Sequence, residues 1–181
     1  MYIFTESDIA KAQAMAMFRA EQSRLKGYSQ SGTICSDSAE SLAHIDLIGC
    51  LGELGFAREM GEPDQLAEGT LKQADHIDRY GTKWHVRATD RVGGCLIVRD
   101  HDPIDAKGLF TGRYALVEID LNTKTAKIAG TCLGKMVRAL GVYEARGKSP
   151  EPAWWVDQRS LGDIDDYLER KTARARHMTA V

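Results

Sequence analysis

No apolar run in this chain approaches the roughly 20 residues that a helix needs to cross a bilayer. The first residues, Met1-Tyr2-Ile3-Phe4-Thr5-Glu6, lack a basic segment followed by a long apolar one, so a cytoplasmic address and no membrane partner are expected. Cysteine is sparse. Cys35, Cys50, Cys95 and Cys132 form no C-x-x-C pair and have no histidine at finger-like spacing, which argues against a zinc knuckle or a redox couple. All four read as reduced thiols, mostly buried. Internal repeats and low-complexity tracts are lacking too. What remains, 181 residues with 43% hydrophobic and 28% charged residues, has the composition of one globular domain over 1–181, long enough to bury a core without staples.

The net charge of −2 conceals a segregation. Residues 36–68 carry eight acids and one base, whereas residues 122–148 carry six bases and one acid. An acidic pole suits a carboxylate-lined metal site, and a basic one a phosphate-binding surface. Lys124, Lys127, Lys135, Arg138 and Lys148 are the candidate nucleic-acid contacts.

Thr5-Glu6-Ser7-Asp8 predicts a helix start, with a helix over 5–27 that turns Ile9, Ala12, Ala16 and Ala20 inward and Lys11, Arg19 and Arg24 outward. Asp37 with Glu40 resembles a capping box ahead of the apolar stretch 42–60. Gly49, Gly52 and Gly55 recur there around Glu53, although each costs about 1 kcal/mol against alanine inside a helix. Close approach of that helix to a sheet or ligand would offset the cost. From Thr82 the period becomes two: Trp84, Val86 and Ala88 share one face, His85 and Arg87 the other. Further strands are expected over 95–99, 113–121 and 125–132, the last two joined by a turn at Asn122-Thr123. A hairpin over 82–99 would head a mixed four-stranded sheet. A short helix over 134–140, a polar connection over 144–152 and a charged helix over 163–177 complete an α/β fold of the α+β kind, with helices flanking the sheet. Trp154-Trp155 reads as a hydrophobic lid on that sheet.

The chemistry-bearing residues are Glu53 on the glycine-rich helix, Asp75 ahead of the first strand, and the same-face pair His85 and Arg87. Carboxylates from separate elements suit a hard cation, and a forked guanidinium suits a phosphate oxygen. His44, His76 and His101 sit at no metalloprotease spacing and are expected to be surface or locally satisfied residues.

Three segments in order resemble the PD-(D/E)XK nuclease superfamily, and small phage-associated members most: Gly49-Cys50-Leu51-Gly52-Glu53-Leu54-Gly55, then Ala74-Asp75, then Trp84-His85-Val86-Arg87-Ala88-Thr89. Asp78 is a fallback for Asp75, and Trp154-Trp155 followed by Gln158 and Leu161 resembles the ending of such phage proteins. The resemblance spans about one third of the chain. It implies a restriction-endonuclease-like core and metal-dependent hydrolysis of DNA, with Glu53, Asp75 and His85 holding Mg²⁺ or Mn²⁺ and Arg87 steadying the phosphate. Two departures stand out. His85 replaces an acidic or amide ligand, which favours Mn²⁺, and Arg87 replaces the lysine and cannot serve as a general base. Two other outcomes belong to the same resemblance: a catalytically silent relative that binds nucleic acid or a host defence or recombination protein, and a virion assembly component.

Overall fold

The computed structural model describes residues 1–25, 39–64, 66, 74–146 and 151–179. Strand β1 (Tyr2–Ile3) leads into helix α1 (Glu6–Leu25), and α2 (Ala39–Glu59) follows. The start of α1 is fixed locally. Asp8 donates its backbone N–H to Thr5 Oγ1 at 3.1 Å while its carboxylate accepts the Thr5 N–H at 2.9 Å, a reciprocal cap. Lys26 and Gly27, where the first helix was expected to stop, lie outside the described residues, as do Asp37 and Cys35.

Strands β2 (His76–Ile77), β3 (Lys83–Thr89), β5 (Arg113–Asp120) and β6 (Thr125–Leu133) join β1 in a five-stranded sheet of order β1-β6-β5-β3-β2. Only β3 and β5 run parallel; the other neighbours are antiparallel. A second sheet has the order β4-β8-β7, from β4 (Leu96–Val98), β7 (Gly141–Glu144) and β8 (Ala153–Val156). The short helix α3 (Val137–Leu140) follows a 3-10 turn over Gly134–Met136, and α4 (Ile164–Thr179) ends the described chain. The fold is thus mixed α+β, as expected, but its strands are arranged differently.

The expected 82–99 hairpin does not form. One edge of β3 is taken by β5, and the other by β2 and Asp75, so the chain leaves the sheet after Thr89 and β4 pairs with β8 instead. Trp154 and Trp155 are therefore strand residues, paired with Val98 and Ile97. The two-residue strands β1 and β2 are too short to show a period in the sequence.

Each face of the larger sheet has its own core. Trp84, Val86, Ala115, Val117, Ile119 and Ile128 pack with Leu51, Leu54 and Phe56 of α2. On the opposite face, Tyr114, Leu116 and Cys132 pack with Leu96, Val98 and Val156 of the second sheet. Full burial of one such side chain is worth roughly 1.5–3 kcal/mol. The glycine period of α2 is explained in two positions of three. A Cβ at Gly52 would overlap the Ala88 side chain, and one at Gly55 that of Ala126, so α2 lies directly against β3 and β6. Gly49 has open space around it and takes no part in this approach.

Candidate functional site

Beyond the start of β2, the outer edge of β3 is left without a partner strand, and Asp75 fills the gap. Its backbone N–H donates to the Trp84 carbonyl at 2.9 Å, and its Oδ2 accepts the Val86 N–H at 2.7 Å. Arg87 reaches round to the same place. Its Nη1 lies 3.3 Å from Asp75 Oδ2 and 3.1 Å from the Val86 carbonyl oxygen, while its Nη2 meets Asp102 Oδ1 at 2.5 Å. Asp102, 7% exposed, is oriented by the Arg99 N–H, which donates to its Oδ2. Burial alone would make Arg87 easier to deprotonate, but Asp102 and Asp75 override it and hold the guanidinium charged.

Glu53 belongs to α2, on the opposite face of the sheet from His85 and Arg87, and is within electrostatic reach of Asp75 and Arg87. Both of its oxygens are engaged. Arg19 Nη1 donates to Oε1 at 2.7 Å and Nη2 to Oε2 at 2.8 Å, a fork-on-fork pair between α1 and α2. The side chains are 20% and 12% exposed. Burial pushes the Glu53 carboxyl above the ordinary carboxylate value, and the Arg19 fork opposes that rise without reversing it. Arg19 had been expected to point outward. The α1 pattern of small apolar residues gave no sign of it, because its partner lies 34 positions along the chain.

His85 is 4% exposed and stacks on Tyr114, with ring centroids 4.9 Å apart and planes 30° apart. Burial, with Arg87 adding repulsion, holds its pKa below the ordinary histidine value, so the ring is neutral at pH 7. Asp78, the fallback acid, is a structural carboxylate. Trp84 Nε1 (3.0 Å), Tyr167 Oη (2.5 Å) and the N–H groups of Tyr80 and Thr82 (2.9 Å each) all donate to it. Burial would raise its pKa, yet these donors hold it below the usual carboxylate value. His44 meets Asp90 at the surface, 2.8 Å apart, and His101 is exposed. His76 departs from expectation: it is 2% exposed, stands edge-on to Phe56, and its Nε2 has no partner among the described residues.

The structure thus brings Asp75 and Arg87 together, with Glu53 nearby, and adds Arg19 and Asp102. It does not bring His85 to Glu53, because strand alternation turns His85 toward the second sheet while α2 covers the other face. Among the described residues, no group of three or more His, Cys, Asp or Glu side chains is placed to hold one ion. The donor chemistry agrees. Both oxygens of Glu53 and Oδ2 of Asp75 already accept hydrogen bonds, and the Arg19 and Arg87 guanidiniums are among the donors. The residues present do not fit a bound Mg²⁺ or Mn²⁺.

The expected basic surface is divided. Lys124 and Lys127 lie at the start of β6, Lys135 and Arg138 beyond its end, and the six strand residues 128–133, about 20 Å of strand, lie between the pairs. Lys124 pairs with Glu6 at 2.5 Å, and the Arg138 guanidinium covers Phe110 and Trp154, 5.6 and 5.8 Å from their ring centroids. Lys148 lies outside the described residues. No helix is long and apolar enough to cross a membrane among the described residues. Comparison with family models, with curated proteins and with solved structures gave no match.

Proposed function

We propose that the chain is a restriction-endonuclease-like domain that binds nucleic acid without cleaving it, the catalytically silent form of the nuclease reading. The observation that carries this is the occupation of its acids. Arg19 takes both oxygens of Glu53, and Arg87 spans Asp75 and Asp102. The two carboxylates expected to serve a metal, Glu53 and Asp75, are countered instead, together with Asp102, by two fixed guanidiniums, and neither guanidinium is left to contact a phosphate.

The resemblance to the nuclease core rests on placement. An acid precedes the short strand of a hairpin, a basic residue follows it on the next strand, a parallel neighbour lies alongside, and a glycine-rich helix supplies Glu53. That same placement favours a second reading, metal-dependent phosphodiester hydrolysis with Mn²⁺ preferred over Mg²⁺, in which the ion would have to displace Arg19 and Arg87.

One pair of assays separates them. Anisotropy titrations with labelled oligonucleotides should show binding that EDTA does not change, and supercoiled plasmid incubated with Mg²⁺ or Mn²⁺ should stay intact. Nicking that requires metal and disappears in Glu53→Ala and Asp75→Ala would overturn the silent reading and establish the nuclease.

A further inference from the structure

We propose that Arg113, together with Arg170 and Lys171 of α4, forms the seat for backbone phosphates of the bound nucleic acid. The inference rests on the nucleic-acid reading above and assigns it a surface other than the 122–148 segment.

Arg113 opens β5 opposite Trp84, and its guanidinium lies against two rings, 5.2 Å from the centroid of Trp84 and 4.6 Å from that of Tyr167. The rings themselves meet edge to face at 5.0 Å. This holds the guanidinium in place without neutralising it. Among the described residues the Arg113 side chain makes no ion pair and no hydrogen bond, and its Nε is buried and without a partner. The carboxylate that could have answered it, Asp78, is spent on Trp84, Tyr167, Tyr80 and Thr82. A buried N–H with no acceptor is costly, and an anion drawn to the guanidinium relieves the cost.

Tyr167, Arg170 and Lys171 stand at i, i+3 and i+4 and so share a face of α4. The Lys171 ammonium lies 5.5 Å from the Tyr167 ring and 5.9 Å from that of Tyr80. Arg170 is exposed, uses Nε to hold the Asp166 carbonyl, and is near enough to Arg113 to repel it. Neither Arg170 nor Lys171 forms an ion pair among the described residues. From Arg170 to Thr179 the helix sequence contains no carboxylate. Three cations thus gather about Tyr167, the first of them a fork of the shape that takes two oxygens of one phosphate. Lys124, by contrast, already has Glu6.

The test uses the full chain, labelled with ¹⁵N, and follows the Arg113 Nε–Hε signal during titration with inorganic pyrophosphate and with a 12-base-pair DNA duplex. Both should move it. In anisotropy titrations of the same duplex, Arg170→Gln/Lys171→Gln should weaken binding and lower the log–log salt slope by about 1.8, two phosphates at about 0.9 each. Arg170 is exposed and Lys171 half-buried, and the melting temperature serves as the control for folding. Lys124→Glu/Lys127→Glu should leave affinity and slope unchanged. DNA binding that is indifferent to Arg170→Gln/Lys171→Gln, with a still Arg113 signal, would overturn the seat and leave the nucleic-acid reading standing. Pyrophosphate that moves the signal while DNA does not bind would keep the phosphate seat and remove the nucleic-acid reading. A glutamate-rich peptide that displaces pyrophosphate at equal concentration would overturn phosphate selectivity.

Discussion

Two buried carboxylate centres on neighbouring elements are satisfied by opposite means. Asp78 is surrounded by neutral donors, two side-chain and two backbone, whereas Glu53 is held by the charged fork of Arg19. Neutral donors meet the hydrogen-bonding needs of a carboxylate and leave its charge in place, so the centre tolerates only the ionised form. A guanidinium cancels the charge as well, and each partner becomes dependent on the other. Asp78 thus fastens a turn to α4, while Glu53 and Arg19 fasten two helices through a pair that fails if either half is lost.

The sharpest way to break the contrast is Arg19→Ala. It strands Glu53 in a poorly hydrated position, and the loss should be about 3–5 kcal/mol in urea unfolding. Arg19→Met combined with Glu53→Leu should recover most of that, since apolar replacement of a buried pair is often neutral. A double variant no better than the single would show that the pair contributes more than its mutual compensation.

Asp78→Ala should come next, because it orphans the Trp84 and Tyr167 donors at about 1–3 kcal/mol for each. Its pH signature separates the two centres further. The folded pKa of Asp78 lies below its unfolded value near 3.9. Its stabilisation is therefore complete above about pH 4 and is lost as pH falls through the lower folded value. His76 and His85 act earlier. Burial lowers both pKa values, so the unfolded chain takes up protons that the folded one resists, and stability should decline as pH drops below about 6.5. Urea midpoints between pH 8 and pH 3 should show both declines, with the acid-most one reduced in Asp78→Ala, since the lowered Asp8 carboxyl still contributes.

Gly52→Leu should cost about 1–3 kcal/mol through overpacking against Ala88. Gly49→Ala should have the smallest effect and the opposite sign, a gain of up to about 1 kcal/mol, because helix propensity improves and open space receives the methyl group. Equal responses at the two positions would refute the close approach of α2 to β3.

Local signals in the sequence carried through where a single element decides the outcome. The cap formed by Thr5 and Asp8, the alternation over β3, the turn at Asn122-Thr123, where Asp120 accepts both N–H groups, and Gly52 beside Glu53 were all legible. Arrangements that depend on which distant segment arrives first were not. The short β2 and the parallel strand β5 exclude β4 from the sheet, and nothing within 82–99 announces either competitor. In the candidate site Glu53, Asp75 and Arg87 were found from spacing, while Arg19 and Asp102 were missed. Their partners lie 34 and 15 positions away, in patterns that read as a solvated helix face and an ordinary loop acid.

The pair of Asp75 and Arg87 also guards against self-association. Beyond the two residues of β2, β3 would otherwise offer the Val86 N–H and carbonyl to any passing strand, and such an open edge is a template for aggregation. Asp75 occupies the N–H and Arg87 the carbonyl, so both sites are closed to a second molecule. Removing either residue to probe chemistry therefore also unseals the sheet. A loss of activity in Asp75→Ala should be read beside light scattering from the same sample, since fibrils or soluble oligomers seeded at Val86 would mimic the loss of a catalytic acid.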